Sequence, residues 1–113
     1  MIVSSGYNIY PAEMENILDA NEMVHMSCVI GVPDPYRMQK VKAFVVLEPG
    51  YEPNDETRKQ LMDYCRKNIS KYAMPYKIEF RKTLPTTVVG KVAYRVLEQE
   101  EAELEKDERH PED

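Results

Sequence analysis

The sequence predicts an α+β domain in which a small three-stranded sheet packs with about three helices, in the order α-β-β-α-β-α. Three observations predict it. Two runs rich in β-branched and apolar residues, VHMSCVIGV from 24 to 32 and KVKAFVVLE from 40 to 48, follow one another across the turn residues Pro33, Asp34 and Pro35. Leu61, Cys65 and Ile69 recur every four residues, the spacing of one helix face. From Tyr76 to Lys82 the chain alternates Tyr76, Ile78 and Phe80 against charged neighbours, which marks a third strand. Strands and helices in such a mixed order make one compact α+β unit.

Each element has a local cause. Residues 1–10 place the turn-formers Ser4, Ser5, Gly6 and Asn8 among apolar and aromatic residues, which predicts a shaped loop. Pro11 suits the first turn of a helix whose acids Glu13 and Glu15 lie at its positive end and whose Met14, Ile17 and Leu18 share a face; this helix should end near Asn21. The strand from Val24 should close at Val32. His25 lies in it with no second ligand nearby and is read as structural. The 40–48 run begins with alternation at Lys40 and Lys42 and turns wholly apolar, as in a largely buried strand. Asn54 or Asp55 can cap the next helix, which Met74-Pro75 should stop. A last helix carries Val92, Val96 and Leu97, and past about residue 105 the charge density favours disorder.

Composition narrows the function. The 113 residues make one domain, small for an enzyme, so a catalytic pocket would be shallow or shared. The net charge is −5, but residues 98–113 hold nine acids against Lys106 and Arg109, a local −7. The remaining body has 11 acids against 13 bases, a charge of +2. That excess is too small for nucleic acid and suits a surface that meets the phosphates of a nucleotide or cofactor. Cys28 and Cys65 sit in apolar patterns without metal or redox spacing and read as core thiols of a reducing, cytoplasmic compartment. No stretch approaches the roughly 20 apolar residues of a membrane span, and no signal segment opens the chain.

The chemistry falls on LPTTVVGKVAYR, residues 84–95, a loop between the third strand and the last helix. Pro85 stiffens its start, Gly90 opens backbone angles closed to other residues, and Lys91 follows where a flexible cation can project from the domain. It is not a phosphate-cradling P-loop, which requires glycine where Pro85 stands and Ser or Thr where Val92 stands.

SGYNIYPAEME, VIGVPD, KAFVVLEPG and LPTTVVGK, in this order and at these spacings, resemble the small C-terminal domain of AMP-forming acyl-CoA synthetases, within the adenylate-forming enzymes. The resemblance covers residues 1–97, leaving 98–113 as an acidic, partly disordered tail, and implies an N-terminal ATP-binding domain upstream. It implies a carboxylate–CoA ligase of fatty acid metabolism that converts acid, ATP and CoA to acyl-CoA, AMP and pyrophosphate. In such enzymes the C-terminal domain rotates between two half-reactions. Lys91 then matches the adenylation lysine, with Pro85 and Gly90 supporting its loop. Ser5, Gly6 and Tyr7 match the glycine loop on the face that admits the pantetheine arm of CoA. ATP, CoA and Mg2+ would serve the full-length enzyme, with none held tightly by this chain, no metal site of its own and no turnover in isolation. Its partners would be its own N-terminal domain, a small carboxylic acid and CoA, with no nucleic acid. The chain departs from the family pattern in lacking a lysine shortly before Ser4, in Thr86 and Val89, and in Tyr94-Arg95 after the lysine. Two alternatives stand beside this reading: the end of a peptide-synthetase adenylation domain, and a non-catalytic binding module of the same fold.

Overall fold

A computed structural model describes residues 1–85 and 94–109. Its elements are strands β1 (Ile2–Ser4) and β2 (Tyr7–Ile9), helix α1 (Pro11–Asp19), strands β3 (Val24–Asp34) and β4 (Met38–Leu47), helix α2 (Asp55–Asn68), a 3-10 turn (Lys71–Ala73), strand β5 (Lys77–Phe80) and helix α3 (Tyr94–Arg109). The α+β class holds, and from α1 onward so does the α-β-β-α-β-α succession.

The sheet, however, has five strands among the described residues rather than three. The two additional strands are β1 and β2, an N-terminal hairpin of three residues a side, where the sequence predicts only a shaped loop. Three residues are too few to display a period of two. The sheet runs β2-β1-β4-β3 in antiparallel order, and β5 joins β4 in parallel, as expected for two strands joined through the crossover helix α2.

Strand β4 is the spine. It pairs with β3 from Met38 to Leu47, with β1 at Met38 against Ser4, and with β5 from Lys42 to Val45. Its alternate residues enter two cores. Val41, Ala43 and Val45 meet Met14 and Leu18 of α1, Leu61 and Cys65 of α2, and Ile2 and Ile9 of the hairpin. Phe44 and Val46 meet Cys28, Ile30 and Val32 of β3, with Leu84 and Leu97. Helices α1 and α2 therefore cover one face and α3 the other, which explains why β4 reads as a continuous apolar run.

Boundaries differ from expectation where polar groups intervene. β3 continues through Pro33 to Asp34, because β3 is an edge strand and the missing proline N–H falls on no ladder partner. Helix α2 begins at the Asn54 cap, whose side chain accepts the Thr57 N–H at 2.9 Å. It stops at Asn68, six residues before Met74: Ile69 turns extended, and the Asn68 amide donates back to the Tyr64 carbonyl at 2.8 Å. Ile69 stays buried all the same, so the apolar stripe outlasts the helix. Helix α1 ends at Asp19, just short of Asn21. At the other end of the chain, α3 passes residue 105 and runs to Arg109.

Candidate functional site

The hairpin brings Ser5, Gly6 and Tyr7 together at its tip. Ser4 pairs with Tyr7, so Ser5 and Gly6 form a two-residue turn, and both have positive φ, 52° and 84°. That combination matches the twist of the flanking strands. Ser5 is held in this uncommon conformation by its N–H, which donates to the Arg37 carbonyl at 2.9 Å. A Cβ built on Gly6 would meet nothing within 4 Å. The glycine therefore answers to its φ and leaves open space above the backbone.

Packing fixes the hairpin to the body. Ile2 and Ile9 are buried in the α1–α2 core, and the Val3 N–H donates to the Gln39 side-chain oxygen at 2.8 Å. Gly31, opposite, leaves room for that amide: a Cβ there would lie 2.7 Å from Gln39 Nε2 and 3.0 Å from Ile2 Cγ2. The Tyr7 ring stacks on Tyr72 with centroids 4.2 Å apart and planes within 11°, while both rings remain half exposed. Beside the tip, Asp34 accepts the N–H groups of Tyr36 and Arg37 at 2.8 and 3.0 Å. The Tyr36 bond first, with the Arg37 bond and the nearby Lys40 and Arg37 charges, holds its carboxyl below the usual range against an opposing effect of burial.

The start of the other predicted loop lies on the opposite face. Leu84 is buried in the core beneath α3, and Pro85, half-buried, follows it. Gly90 and Lys91 lie outside the described residues. Tyr7 and Tyr72 sit beside the α1–α2 core, whereas Leu84 is buried on the α3 side of the sheet.

Two polar clusters hold α3. At its first residue, the Tyr94 hydroxyl lies 2.7 Å from each oxygen of Glu15, and Glu15 Oε2 also accepts the Val29 N–H of β3 at 2.8 Å. Burial raises the Glu15 pKa above its ordinary value although both hydrogen bonds pull the other way. Tyr94 is raised too, by burial and by its carboxylate partner. Farther along, Lys42 of β4 is fully buried beneath α3 and donates to Glu101, and to Glu79 of β5 at 3.1 Å. Arg81 extends the network to Glu79 at 2.7 Å and Glu100 at 2.8 Å. Burial works against the Lys42 ammonium, but the two carboxylates overcome it and raise its pKa. Burial likewise opposes the Glu79 carboxylate, and Arg81 and Lys42 together hold its pKa below the ordinary value.

Both cysteines are buried and free. Burial pushes the Cys28 thiol up to about 12, with Glu15 and Glu98 adding to it, and Cys65 up to about 11. His25 is exposed, and its ring meets Glu48 at 3.0 Å. Among the described residues no group of three or more His, Cys, Asp or Glu could hold a metal ion, and no helix is long and apolar enough to cross a membrane.

Sequence reasoning missed Tyr72, Glu15 and Lys42. Lys42 carried a signal, since a lysine inside an otherwise apolar strand requires buried countercharge. Nothing in the sequence pairs Tyr72 with Tyr7 or Glu15 with Tyr94, because each partner is remote along the chain.

Comparison with known proteins adds a family. Residues 13–91 match the family model of the AMP-binding enzyme C-terminal domain. A long-chain-fatty-acid–CoA ligase of Bacillus subtilis is 45% identical over 103 residues, covering 91% of this chain and 18% of the relative. A mitochondrial acyl-coenzyme A synthetase of Homo sapiens is 41% identical over 103 residues, covering 89% of this chain and 18% of the relative. Among solved structures, a Brucella canis acyl-CoA synthetase superposes with a TM-score of 0.87 at 40% identity, covering 92% of this chain and 19% of that one. The chain thus spans about a fifth of the length of the proteins it matches.

Proposed function

Because this chain belongs to the family of the AMP-binding enzyme C-terminal domain, we propose that it is the mobile C-terminal domain of an AMP-forming carboxylate–CoA ligase. In the first half-reaction a carboxylate oxygen attacks the α-phosphorus of ATP, giving an acyl-adenylate and pyrophosphate. In the second, the CoA thiol attacks the acyl carbon and releases AMP.

Lys91 serves the first. Negative charge crowds where carboxylate meets phosphate, and an ammonium whose normal pKa is about 10.4 offsets it at neutral pH. The hairpin tip serves the second. The observation that carries the reading is Gly6: its left-handed backbone stands at an exposed tip with nothing within 4 Å of the place a side chain would occupy. Such a surface lets a slender arm such as pantetheine lie against backbone. The hairpin tip and Leu84, the described residue at the start of the lysine loop, lie on different sides of one sheet, which supports a single rigid domain that presents its two faces in turn by rotating.

ATP and its accompanying Mg2+ require a nucleotide pocket that the described residues do not build, and these would bind the upstream domain. The chain alone then orients neither ATP nor acid, so it should show no turnover.

The test uses the full-length parent polypeptide, assayed separately for acid-dependent ATP–pyrophosphate exchange and for thioester formation from supplied acyl-adenylate. Lys91→Ala should abolish exchange and spare thioester formation, and Gly6→Val should do the reverse. Retention of both activities in both variants would leave the domain a scaffold. Acetylation of Lys91 removes its charge and should mimic Lys91→Ala, with recovery on deacetylation.

A further inference from the structure

We infer that Tyr94 is a positioning residue of the adenylation step, acting through Glu15 to fix the start of α3 and with it the reach of Lys91. The inference rests on the reading of Lys91 given above. Tyr94 is the first residue of α3 and the third after Lys91. Three residues span at most about 10 Å, so the location of Tyr94 limits where Lys91 can be. The opposite anchor, Leu84, is seven residues away and allows more than twice that range.

Tyr94 is itself held by a chain of bonds into the body. Its hydroxyl lies 2.7 Å from both Glu15 oxygens. Glu15 sits on α1, and its Oε2 accepts the Val29 N–H of β3 at 2.8 Å. One carboxylate thus locks helix α1, strand β3 and the first turn of α3 together. Its partial burial keeps water from competing for those bonds.

The docking of α3 does not need this bond. Leu97 is fully buried, and Glu100 and Glu101 tie the next turn to Arg81 and Lys42. Tyr94 is 36% exposed, so its ring adds little to the core. The hydroxyl instead sets the register and direction of the first turn, which is the quantity that matters to a lysine three residues away. Small misplacements of a catalytic group cost rate far out of proportion to stability.

The experiment measures Tyr94→Phe, Glu15→Gln and their combination in the full-length parent polypeptide, with Lys91→Ala alongside. Exchange and thioester formation are followed separately, together with the thermal midpoint. Tyr94→Phe should lower kcat of exchange on the order of tenfold, with KM for ATP and acid unchanged, thioester formation within twofold and the midpoint shifted by only a few degrees. The combined variant should be no slower than the slower single variant, since both remove one linkage. Full exchange activity in Tyr94→Phe, or a matched fall in both half-reactions together with the midpoint, would overturn the positioning role while leaving that of Lys91 standing. Full exchange in Lys91→Ala would overturn the parent reading, and the positioning role with it.

Discussion

Replacing Lys42 with methionine is the sharpest test of how α3 is held. Lys42 is 2% exposed and donates to Glu79 and Glu101. Methionine fills a similar volume without charge, leaving Glu101, whose side chain is 10% exposed, without its cationic partner; Glu79 keeps Arg81. Removing one partner of a buried pair costs about 3–5 kcal/mol, and because Arg81 still serves Glu79, a loss near ~3 kcal/mol is expected at pH 7. For a domain of this size that lowers the thermal midpoint by about 10–15 °C.

The pH dependence has a defined sign. The Glu79 pKa is depressed from 4.5, so its stabilisation is complete above that value and disappears as pH falls through the lower folded-state pKa. The Lys42 pKa is raised from 10.5, so its stabilisation is complete below that value and disappears as pH rises through the higher folded-state pKa. The gap between the parent chain and Lys42→Met should therefore be flat from about pH 5 to pH 10 and shrink toward acid. Chemical denaturation across this range is the assay. Adding Glu101→Leu to Lys42→Met should recover most of the loss, because the stranded carboxylate is then gone. A cost below about 1 kcal/mol at pH 7, or no recovery in the double variant, would refute the reasoning.

Other consequences are read more simply. Gly31→Ala pushes the Gln39 amide off the Val3 N–H, and should destabilise the chain by about 1–3 kcal/mol while speeding amide exchange at Val3. Asn54→Ala removes the cap of α2 and should cost about 1 kcal/mol in urea denaturation with an unchanged slope. Cys28 and Cys65, buried and with thiol pKa values of about 12 and 11, should resist alkylation at pH 8 in the native chain and react on unfolding. Because Cys28 shares its core with Leu97, Leu97→Ala should expose Cys28 to reagent sooner than Cys65.

The two long strands and the amphipathic helix were legible because each repeats a simple period over many residues. The Asn54 cap was legible for a chemical reason, since a short polar side chain before a helix has one obvious use. The first hairpin was not, because three-residue strands show no period and their pairing depends on Gln39 and Arg37, more than 30 residues away. The early end of α2 turns on a competing Asn68 hydrogen bond that periodicity does not register. At the candidate site, Ser5, Gly6 and Tyr7 were marked by composition and resemblance, whereas Tyr72 and Glu15 depend on tertiary contact alone. Lys42 was misjudged as simple alternation because its countercharges come from β5 and α3.

The position of β4 has a mechanical meaning. Strands β1, β3 and β5 each hang directly from it, and β2 hangs from β1, so the molecule has a single frame of reference. The hairpin tip is registered to that frame through Met38 and Gln39, and the anchor at Leu84 through Phe44 and Val46. Neither end can drift relative to the other without disturbing β4, which pairs with β1 and packs against Leu84. On the proposed function, the domain would act as a lever with two working ends on one bar, the end offered being set by how the bar is turned rather than by how it bends.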